Sequence, residues 1–236
     1  MVETTGHRKS GRGPKALTHS DVSRAALEFI DREGLASFGV RALAQAMGVS
    51  TATLYWHVGG KEDLLASAAV HVFEHIDLPS LETAPWDDAL VQVARSCRRS
   101  MQDHPNVVPV IGSVLVDTPP FRLVEMIVKA LESAGVGGAQ MLSYYNAYVG
   151  FLLGFVTVEL STPPMGDGSG RWAREFAHGL NDVDAASYPA LARNMENLAG
   201  RGFMLRWDNH IHPASNLVFE EAIGIFIAGL RSRLTQ

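Results

Sequence analysis

Cysteine is nearly absent from this sequence: Cys97 is the single cysteine among 236 residues. One thiol excludes an internal disulfide and a zinc finger built on cysteine ligands. Long apolar runs are also lacking, since the most apolar stretch, residues 141–160, is interrupted by polar residues such as Asn146 and Glu159. The N-terminus has no apolar core of a secretion signal. We therefore predict a cytoplasmic protein that has no membrane as a partner.

Motifs of catalysis are missing as well. The sequence contains no GxSxG between a strand and a helix, no P-loop, no HExxH and no CxxC. Its glycines have no βαβ setting that would bind a nucleotide. Cys97 lies on an apolar helical face and is predicted to be an inert core residue. The sequence thus predicts neither an enzyme nor a cofactor.

Positive charge is scarce, with a formal net charge of −5, and it is unevenly spread. Residues 1–61 hold eight Lys/Arg and five Asp/Glu, whereas residues 62–236 hold twelve and twenty. A mildly basic end on an acidic protein is typical of DNA binding through that end, although so small an excess also arises by chance.

Residues 38–65 indicate a short helix, a tight turn, a second short helix and the start of a third. Leu43 and Met47 lie on one narrow apolar face. Gly48 stands where a left-handed helix end favours glycine, and Ser50 is placed to cap the next helix. The pattern predicts a helix-turn-helix whose second helix enters a major groove.

The preceding segment predicts a helix that closes the core of this unit. Thr18 and Asp21 form a capping box at its start, and Gly34 ends it. Phe38, in the following connection, is expected to be a core residue.

The run TLYWHV at residues 53–58, followed by Lys61 and then Leu64 and Leu65, resembles the tetracycline repressor family of bacterial regulators. The resemblance covers about residues 15–70. It implies an all-α fold, with an N-terminal three-helix helix-turn-helix DNA-binding head and a C-terminal helical bundle for ligand binding and dimerisation.

The resemblance divides the chain into three segments. A flexible basic arm is expected at residues 1–16, the helix-turn-helix DNA-binding domain at 17–62, and the ligand-binding and dimerisation domain at 63–236. The arm is either a solvated tail or a segment that contacts DNA, and its position beside the helix-turn-helix favours DNA contact.

Residues at matching positions in the family contact bases and phosphates, and the residue types here suit those tasks. Arg41 could fork onto a guanine edge or pair with a phosphate, and Tyr55 and His57 suit phosphate. For Trp56, packing between the head helices is favoured over a base contact. The predicted DNA-binding residues are Arg41, Ser50, Thr51, Ala52, Thr53, Tyr55, Trp56, His57 and Lys61.

Two histidine pairs have spacings that occur in metal sites. His71 and His75 lie four residues apart on one face of a predicted helix, but no third ligand is evident, so a solvated or hydrogen-bonded face is favoured. His210 and His212 lie in a predicted loop and are a weaker candidate. The sequence therefore predicts no metal site.

Two predicted helices, residues 140–160 and 215–234, carry more apolar surface than one protomer needs to bury. In the family, the matching pair meets its twofold mate in a four-helix bundle, so the resemblance implies a homodimer. The predicted interface comprises Gly150, Gly154, Phe219, Ile223, Phe226, Ile227 and Leu230.

The resemblance also implies a small-molecule site between the body helices, and aromatic residues there suit an apolar or aromatic ligand. Ordinary core packing is the competing explanation for each of these residues. The predicted lining comprises Trp86, Met101, His104, Phe121, Tyr144, Tyr145, Asn146, Tyr148 and Phe155, with Met126, Phe151, Glu159 and Trp172 as further candidates.

The function that the resemblance implies is ligand-responsive transcriptional regulation. The simplest form is a repressor that binds a palindromic operator in double-stranded DNA as a homodimer and is released when a small, largely apolar effector binds. The alternative is a DNA-binding dimer without a small-molecule ligand, whose body binds another protein. Activation instead of repression is also open.

Overall fold

The computed structural model of the chain describes residues 17–114, 118–160, 183–198 and 213–235. Regular secondary structure within these ranges is helical, which confirms the predicted all-α fold. The helices are α1 (His19–Glu33), α2 (Val40–Met47), α3 (Thr51–His57), α4 (Lys61–Glu74), α5 (Trp86–Asp103), α6 (Val108–Val114), α7 (Phe121–Ser133), α8 (Gln140–Glu159), α9 (Pro189–Leu198) and α10 (Pro213–Leu234), with a 3-10 turn at Leu35–Ser37. The predicted basic arm, Trp172, His210 and His212 lie outside the described residues.

Helix α1 begins and ends at the residues that the sequence indicates. The Thr18 hydroxyl accepts a hydrogen bond from the Asp21 N–H at 3.1 Å, and the Asp21 carboxylate accepts one from the Thr18 N–H at 3.0 Å. Gly34 follows the helix and donates its N–H to the Ile30 carbonyl. Phe38 is buried and contacts Phe29 edge-on at 5.9 Å between ring centroids, which confirms its place in the core.

The turn between α2 and α3 has the predicted chemistry. Gly48 adopts φ 67° and ψ 28°, a left-handed conformation that L residues with a Cβ rarely adopt. Ser50 then caps α3, since its hydroxyl accepts the Thr53 N–H at 3.1 Å. Leu43 and Leu54 are fully buried, so α2 and α3 pack as one unit on α1.

Helix α4 belongs to the head and to the body at once. It packs against α1 on the head side and against α5, α6 and α7 on the body side. Its buried residues, among them Leu64, Ala68 and Val72, join one continuous core that runs from the head into the body. The predicted division at residue 63 therefore falls inside a helix that both parts share.

The body is built around α5, which contacts α7, α8 and α10. Cys97 faces this core and is almost fully buried, and burial raises the pKa of its thiol to about 12. Such a thiol stays protonated near neutral pH, in agreement with the predicted inert core residue.

A buried ion pair crosses the centre of the body. Arg98 of α5 donates from Nε to Glu159 Oε2 of α8 at 2.8 Å and from Nη2 to Glu159 Oε1 at 2.5 Å. Its Nη1 donates to Asn216 Oδ1 of α10 at 2.8 Å, and its guanidinium lies 4.7 Å from the centroid of the Phe219 ring. Both charged side chains are less than a tenth exposed, so the forked contact joins α5 and α8 away from water, and the exposed Asn216 extends it to α10.

Helix α10 is also held against α5 by surface ion pairs. Arg95 forms a forked pair with Glu220, and Arg231 pairs with Asp87 near the other end of the helix. Together with Asn216, these contacts line up along one side of α10 and determine which side faces the protomer.

Candidate nucleic-acid interface and its link to the body

Helix α3 presents an exposed surface beside the starts of α2 and α4. Leu54 and Val58 are buried beneath it, whereas Tyr55 and Trp56 are 54% and 84% exposed. Other predicted contact residues with exposed side chains are Arg41, Ser50, Thr51, Ala52 and Lys61. A short, rigid helix with an exposed aromatic and hydroxyl surface and nearby cations can approach a polyanion.

Two of the predicted contact residues also stabilise the start of α3. The hydroxyls of Ser50 and Thr53 lie 2.8 Å apart at the start of α3, and Ser50 also accepts the Thr53 backbone N–H. This capping fixes the direction of α3.

The sequence favours packing of Trp56 between the head helices, but the structure shows otherwise. Its side chain is largely exposed, and its ring meets His57 edge-on at 5.2 Å between centroids. Residues four apart share a helix face, and Leu54 with Val58 already fills the inward face, so Trp56 points outward. Trp56 thus belongs to the exposed surface of α3.

Side chains of the body hold the C-terminal ends of both α1 and α4. Asn106 Nδ2 donates to the carbonyls of Ile30 and Asp31 at 3.2 and 3.0 Å. Arg122 Nη1 donates to the carbonyls of Glu74 and Ile76 at 3.1 and 3.2 Å. A cation at the C-terminal end of a helix is favourable because the last carbonyls have no partner within the helix.

His104 lies at this junction between head and body, and not in a body cavity as predicted. Its Nδ1 lies 2.7 Å from Asp31 Oδ2 of α1. The hydrogen bond to Asp31 raises the pKa of His104 above its ordinary value, while burial opposes the rise and the Asp31 and Asp103 charges add to it.

We expect the stability that His104 adds to depend on pH. Because the folded-state pKa is raised, this contribution is complete below the unfolded pKa of about 6.5 and is lost as pH rises through the folded value. The melting temperature of a His104→Gln variant should fall furthest below that of the parent near pH 6, and the gap should close as pH rises. The control is His19→Gln, at a head histidine beside the hydroxyls of Ser23 and Ser67. A difference in melting temperature between His104→Gln and the parent that is constant from pH 6 to pH 9 contradicts the role assigned to the His104–Asp31 contact.

The predicted ligand-lining residues do not share one environment. Tyr148 and Met101 are fully buried, and the Tyr148 hydroxyl donates to the Leu90 carbonyl at 2.6 Å, so both are satisfied core residues. Phe121 is 77% exposed at the start of α7, near the head. Asn146 is exposed, and the remaining half-buried side chains are those of Trp86, Tyr144, Tyr145 and Phe155.

Arg98 is the polar residue of the body that sequence reasoning missed. Its partner Glu159 was among the further candidates, but the two are 61 residues apart, so no local spacing joins them. A single arginine on the border of an apolar helical face is an ordinary feature of a surface helix. The pair supplies buried, oriented hydrogen-bonding groups at the junction of α5, α8 and α10.

The predicted dimer residues of α10 lie on its inner side. Phe219, Ile223, Ile227 and Leu230 are buried in the core of the protomer itself. Phe226 is half-buried and stacks on Phe151 of α8 at 5.0 Å between centroids, so α8 and α10 lie side by side. Gly150 and Gly154, in contrast, are exposed on α8.

The outer sides of α8 and α10 remain apolar and rich in small residues. Leu217 and Ile225 of α10 are 74% and 65% exposed, and Val158 of α8 is also exposed. A Cβ atom added at Gly150, Gly154, Gly224 or Gly229 would meet no heavy atom within 4 Å. The protomer therefore does not need glycine at these helical positions, although each glycine destabilises its helix by about 0.5–1 kcal/mol relative to alanine.

Among the described residues, α8 is the one helix that is long and apolar enough, by length and composition, to cross a membrane. Only 17% of the most apolar 18-residue stretch of α8 is buried inside the protomer.

Comparison with known proteins agrees with this architecture. Residues 12–68 match the model of the bacterial regulatory proteins, tetR family, and residues 78–234 match that of the tetracyclin repressor-like C-terminal domain. An HTH-type transcriptional regulator of Saccharopolyspora erythraea is 31% identical over 192 residues, which cover 79% of this chain and 78% of that protein. The tetracycline repressor protein class E of Escherichia coli is 30% identical over 148 residues, or 62% of this chain and 70% of that protein.

Solved structures share the fold at lower identity. The Streptomyces coelicolor TetR family protein ActR, in complex with actinorhodin, superposes with a TM-score of 0.76 at 23% identity, covering 94% of this chain and 100% of that one. The two family models together span the head and nearly all of the body. The chain belongs to the tetR family of bacterial regulatory proteins, and it is a helix-turn-helix transcriptional regulator.

Proposed function

We propose that this protein is a homodimeric repressor that binds a palindromic operator and is released by a small, largely apolar effector. The observation that carries the proposal is the continuity of α4, which starts beside the exposed helix α3 and ends under body side chains. The N-terminal Lys61 lies on the head surface, whereas the carbonyls of Val72 and Glu74 accept hydrogen bonds from Ser100 and Arg122 of the body.

This continuity supplies a physical route from the body to the head. A displacement of α5 or α7 carries Ser100 or Arg122 with it, and the end of α4 follows because its carbonyls are bound to them. The head is then re-oriented, since α1 packs along α4. An effector needs to bind the released state better than the DNA-bound state, and a coupling of about 1–3 kcal/mol gives roughly 5–150-fold weaker operator binding.

The effector class is supported by two relatives and by the body itself. The Escherichia coli relative is named a tetracycline repressor, and ActR was solved with actinorhodin. In this chain, the half-buried aromatic side chains of Trp86, Tyr144, Tyr145 and Phe155 lie on α5 and α8, and the same two helices carry the buried Arg98–Glu159 pair. Aromatic side chains with few polar groups beside them suit a small, largely apolar or aromatic compound.

The operator class follows from twofold symmetry. Two copies that meet through the outer sides of α8 and α10 would present two α3 helices, and major-groove half-sites on one face of DNA are about 34 Å apart. A soluble, cytoplasmic dimer also places the apolar side of α8 against its partner and away from lipid.

The head assignment predicts that Tyr55→Ala and Lys61→Ala each weaken operator binding by about 1–3 kcal/mol, because each removes an exposed DNA-contacting group. Lys61→Ala should also reduce the dependence of affinity on salt, since one phosphate contact is lost. Fluorescence anisotropy of a duplex taken from the region upstream of the protein's own gene measures both quantities.

The matched control is Lys129→Ala, which removes an exposed lysine of the body that pairs with Glu125. It should leave operator affinity unchanged. Equal affinities for all three variants and the parent would refute the head assignment. In the same assay, a saturable loss of anisotropy on addition of an aromatic compound identifies an effector, and operator binding that resists a broad compound panel favours a body that binds another protein.

A further inference from the structure

The last turn of α4 brings together three side chains that bind metals. His71, Glu74 and His75 follow the spacing i, i+3, i+4, so they share one face of the helix. Their ligand atoms all lie within 4.8 Å of one another. His71 Nδ1 is 2.8 Å from Glu74 Oε2, and the two imidazole rings meet edge-on at 5.0 Å between centroids.

Glu74 adds a third candidate ligand, which the spacing of the two histidines alone does not reveal. His71 and His75 alone are too few ligands for a metal site, but a glutamate three residues after His71 lies on the same face as both. The run His-x-x-Glu-His on a helix is the local signal that identifies it.

The exposure of the three residues suits reversible binding from solvent. His71 is buried, whereas Glu74 and His75 are exposed. An ion held by these three ligands would keep at least one coordination position open for water, because zinc is usually four-coordinate. The end of the helix adds attraction for a cation through its carbonyls, while Arg122, which donates to the Glu74 carbonyl, opposes it.

The cluster borders a cleft of about 320 Å³ between head and body, which His71 and His75 help to line. The same cleft is lined by the acidic residues Glu28, Asp77 and Asp103, by the cations Arg24 and Arg99, and by His104. An ion on α4 therefore sits beside the contacts through which the body holds the head.

We propose that His71, Glu74 and His75 bind a divalent transition-metal ion, with Zn²⁺ as the representative ion. Two imidazole nitrogens and one carboxylate oxygen match zinc, nickel and cobalt, whereas magnesium and calcium prefer oxygen ligands alone. On binding, the ion takes the place of the proton between His71 Nδ1 and Glu74 Oε2, and the imidazole stays neutral because it carries its proton on Nε2. The bound ion ties the last turn of α4 together and stabilises the folded protein.

The test is a Zn²⁺ titration of the full-length protein, prepared without a histidine tag and freed of metal with a chelator. Competition against a chromophoric zinc chelator should show one ion per chain at this site, and the melting temperature should rise with Zn²⁺ concentration until the site is full. His75→Ala and Glu74→Gln should each weaken zinc binding at least about tenfold and reduce the rise in melting temperature. Both substitutions are at exposed positions, so the fold is retained.

The matched control is the double variant His210→Ala/His212→Ala, which removes two histidines elsewhere in the chain and should bind zinc as the parent does. Zinc bound equally by the parent, His75→Ala and Glu74→Gln would overturn the proposal, as would no zinc binding by the parent. Because the measurement uses no DNA, its outcome is independent of the operator and effector assignments.

Discussion

Replacement of Arg98 by methionine is expected to lower the free energy of unfolding by about 3–5 kcal/mol, because it removes the forked, buried ion pair with Glu159. The change also removes the donor to Asn216 and the cation above the Phe219 ring, so the contacts of both α8 and α10 with α5 weaken. Urea unfolding followed by circular dichroism measures the effect, at one fixed protein concentration because the proposed dimerisation would make stability depend on concentration.

The control for this prediction is the double variant Arg98→Met/Glu159→Leu. Replacing a whole buried ion pair by apolar residues is often neutral or stabilising, so the double variant should recover most of the lost stability. An Arg98→Met variant as stable as the parent would show that the Arg98–Glu159 pair is hydrated in solution. Recovery in the double variant, together with lost effector response, would assign the pair to ligand recognition.

Replacement of Ile225 by glutamate is expected to convert the proposed dimer into monomers. Ile225 is 65% exposed in the protomer, so the glutamate is solvated in the monomer, but in the dimer it would bring two like charges into an apolar interface. Sedimentation should show the mass fall from twice the chain mass to 25.6 kDa. Operator affinity should fall with it, because each head then binds a half-site alone.

Two further variants test whether the effect is specific to the outer face of α8 and α10 or arises at any exposed apolar residue. Gly154→Leu should also dissociate the dimer, since its Cβ has free space in the protomer but fills the approach of a second helix. Phe121→Glu is the matched control, because Phe121 is even more exposed yet lies on α7 near the head, and it should leave the dimer intact. Dimers in both Ile225→Glu and Gly154→Leu would show that the interface lies elsewhere.

The proposed zinc site and the proposed route from the effector to the head both involve α4. Arg122 and Ser100 bind carbonyls in the last turn of α4, and His71, Glu74 and His75 lie on that turn. A metal ion that tightens this turn would act on the same mechanical link as an effector in the body. Operator titrations with and without Zn²⁺ would measure the coupling directly.

The local features of the head could be predicted from the sequence because each depends on residues close together in the chain. The capping box of Thr18 and Asp21, the left-handed Gly48 and the Ser50 cap each involve groups at most a few residues apart. Backbone sterics and unpaired N–H groups impose the same requirement in any protein, so residue type and spacing were sufficient there.

Trp56 shows where this local reasoning stops. Its size favours burial in general, but the small core beneath α3 is already filled by Leu54 and Val58, and the ring is left outside. How many large side chains a core can bury depends on how all the helices pack together. The sequence of one helix does not contain that information.

The sequence by itself determined the helical class of this protein, the helix-turn-helix and the two strongly apolar helices of the body. Only the tertiary structure decided which side of those two helices faces inward, and that Arg98 meets Glu159 across 61 residues. Helical periodicity identifies a buried side only when the other side is polar, and α8 and α10 are apolar nearly all round. Contacts with α5, through Asn216, Glu220 and Arg231, turn Ile223 toward the core and leave Ile225 exposed.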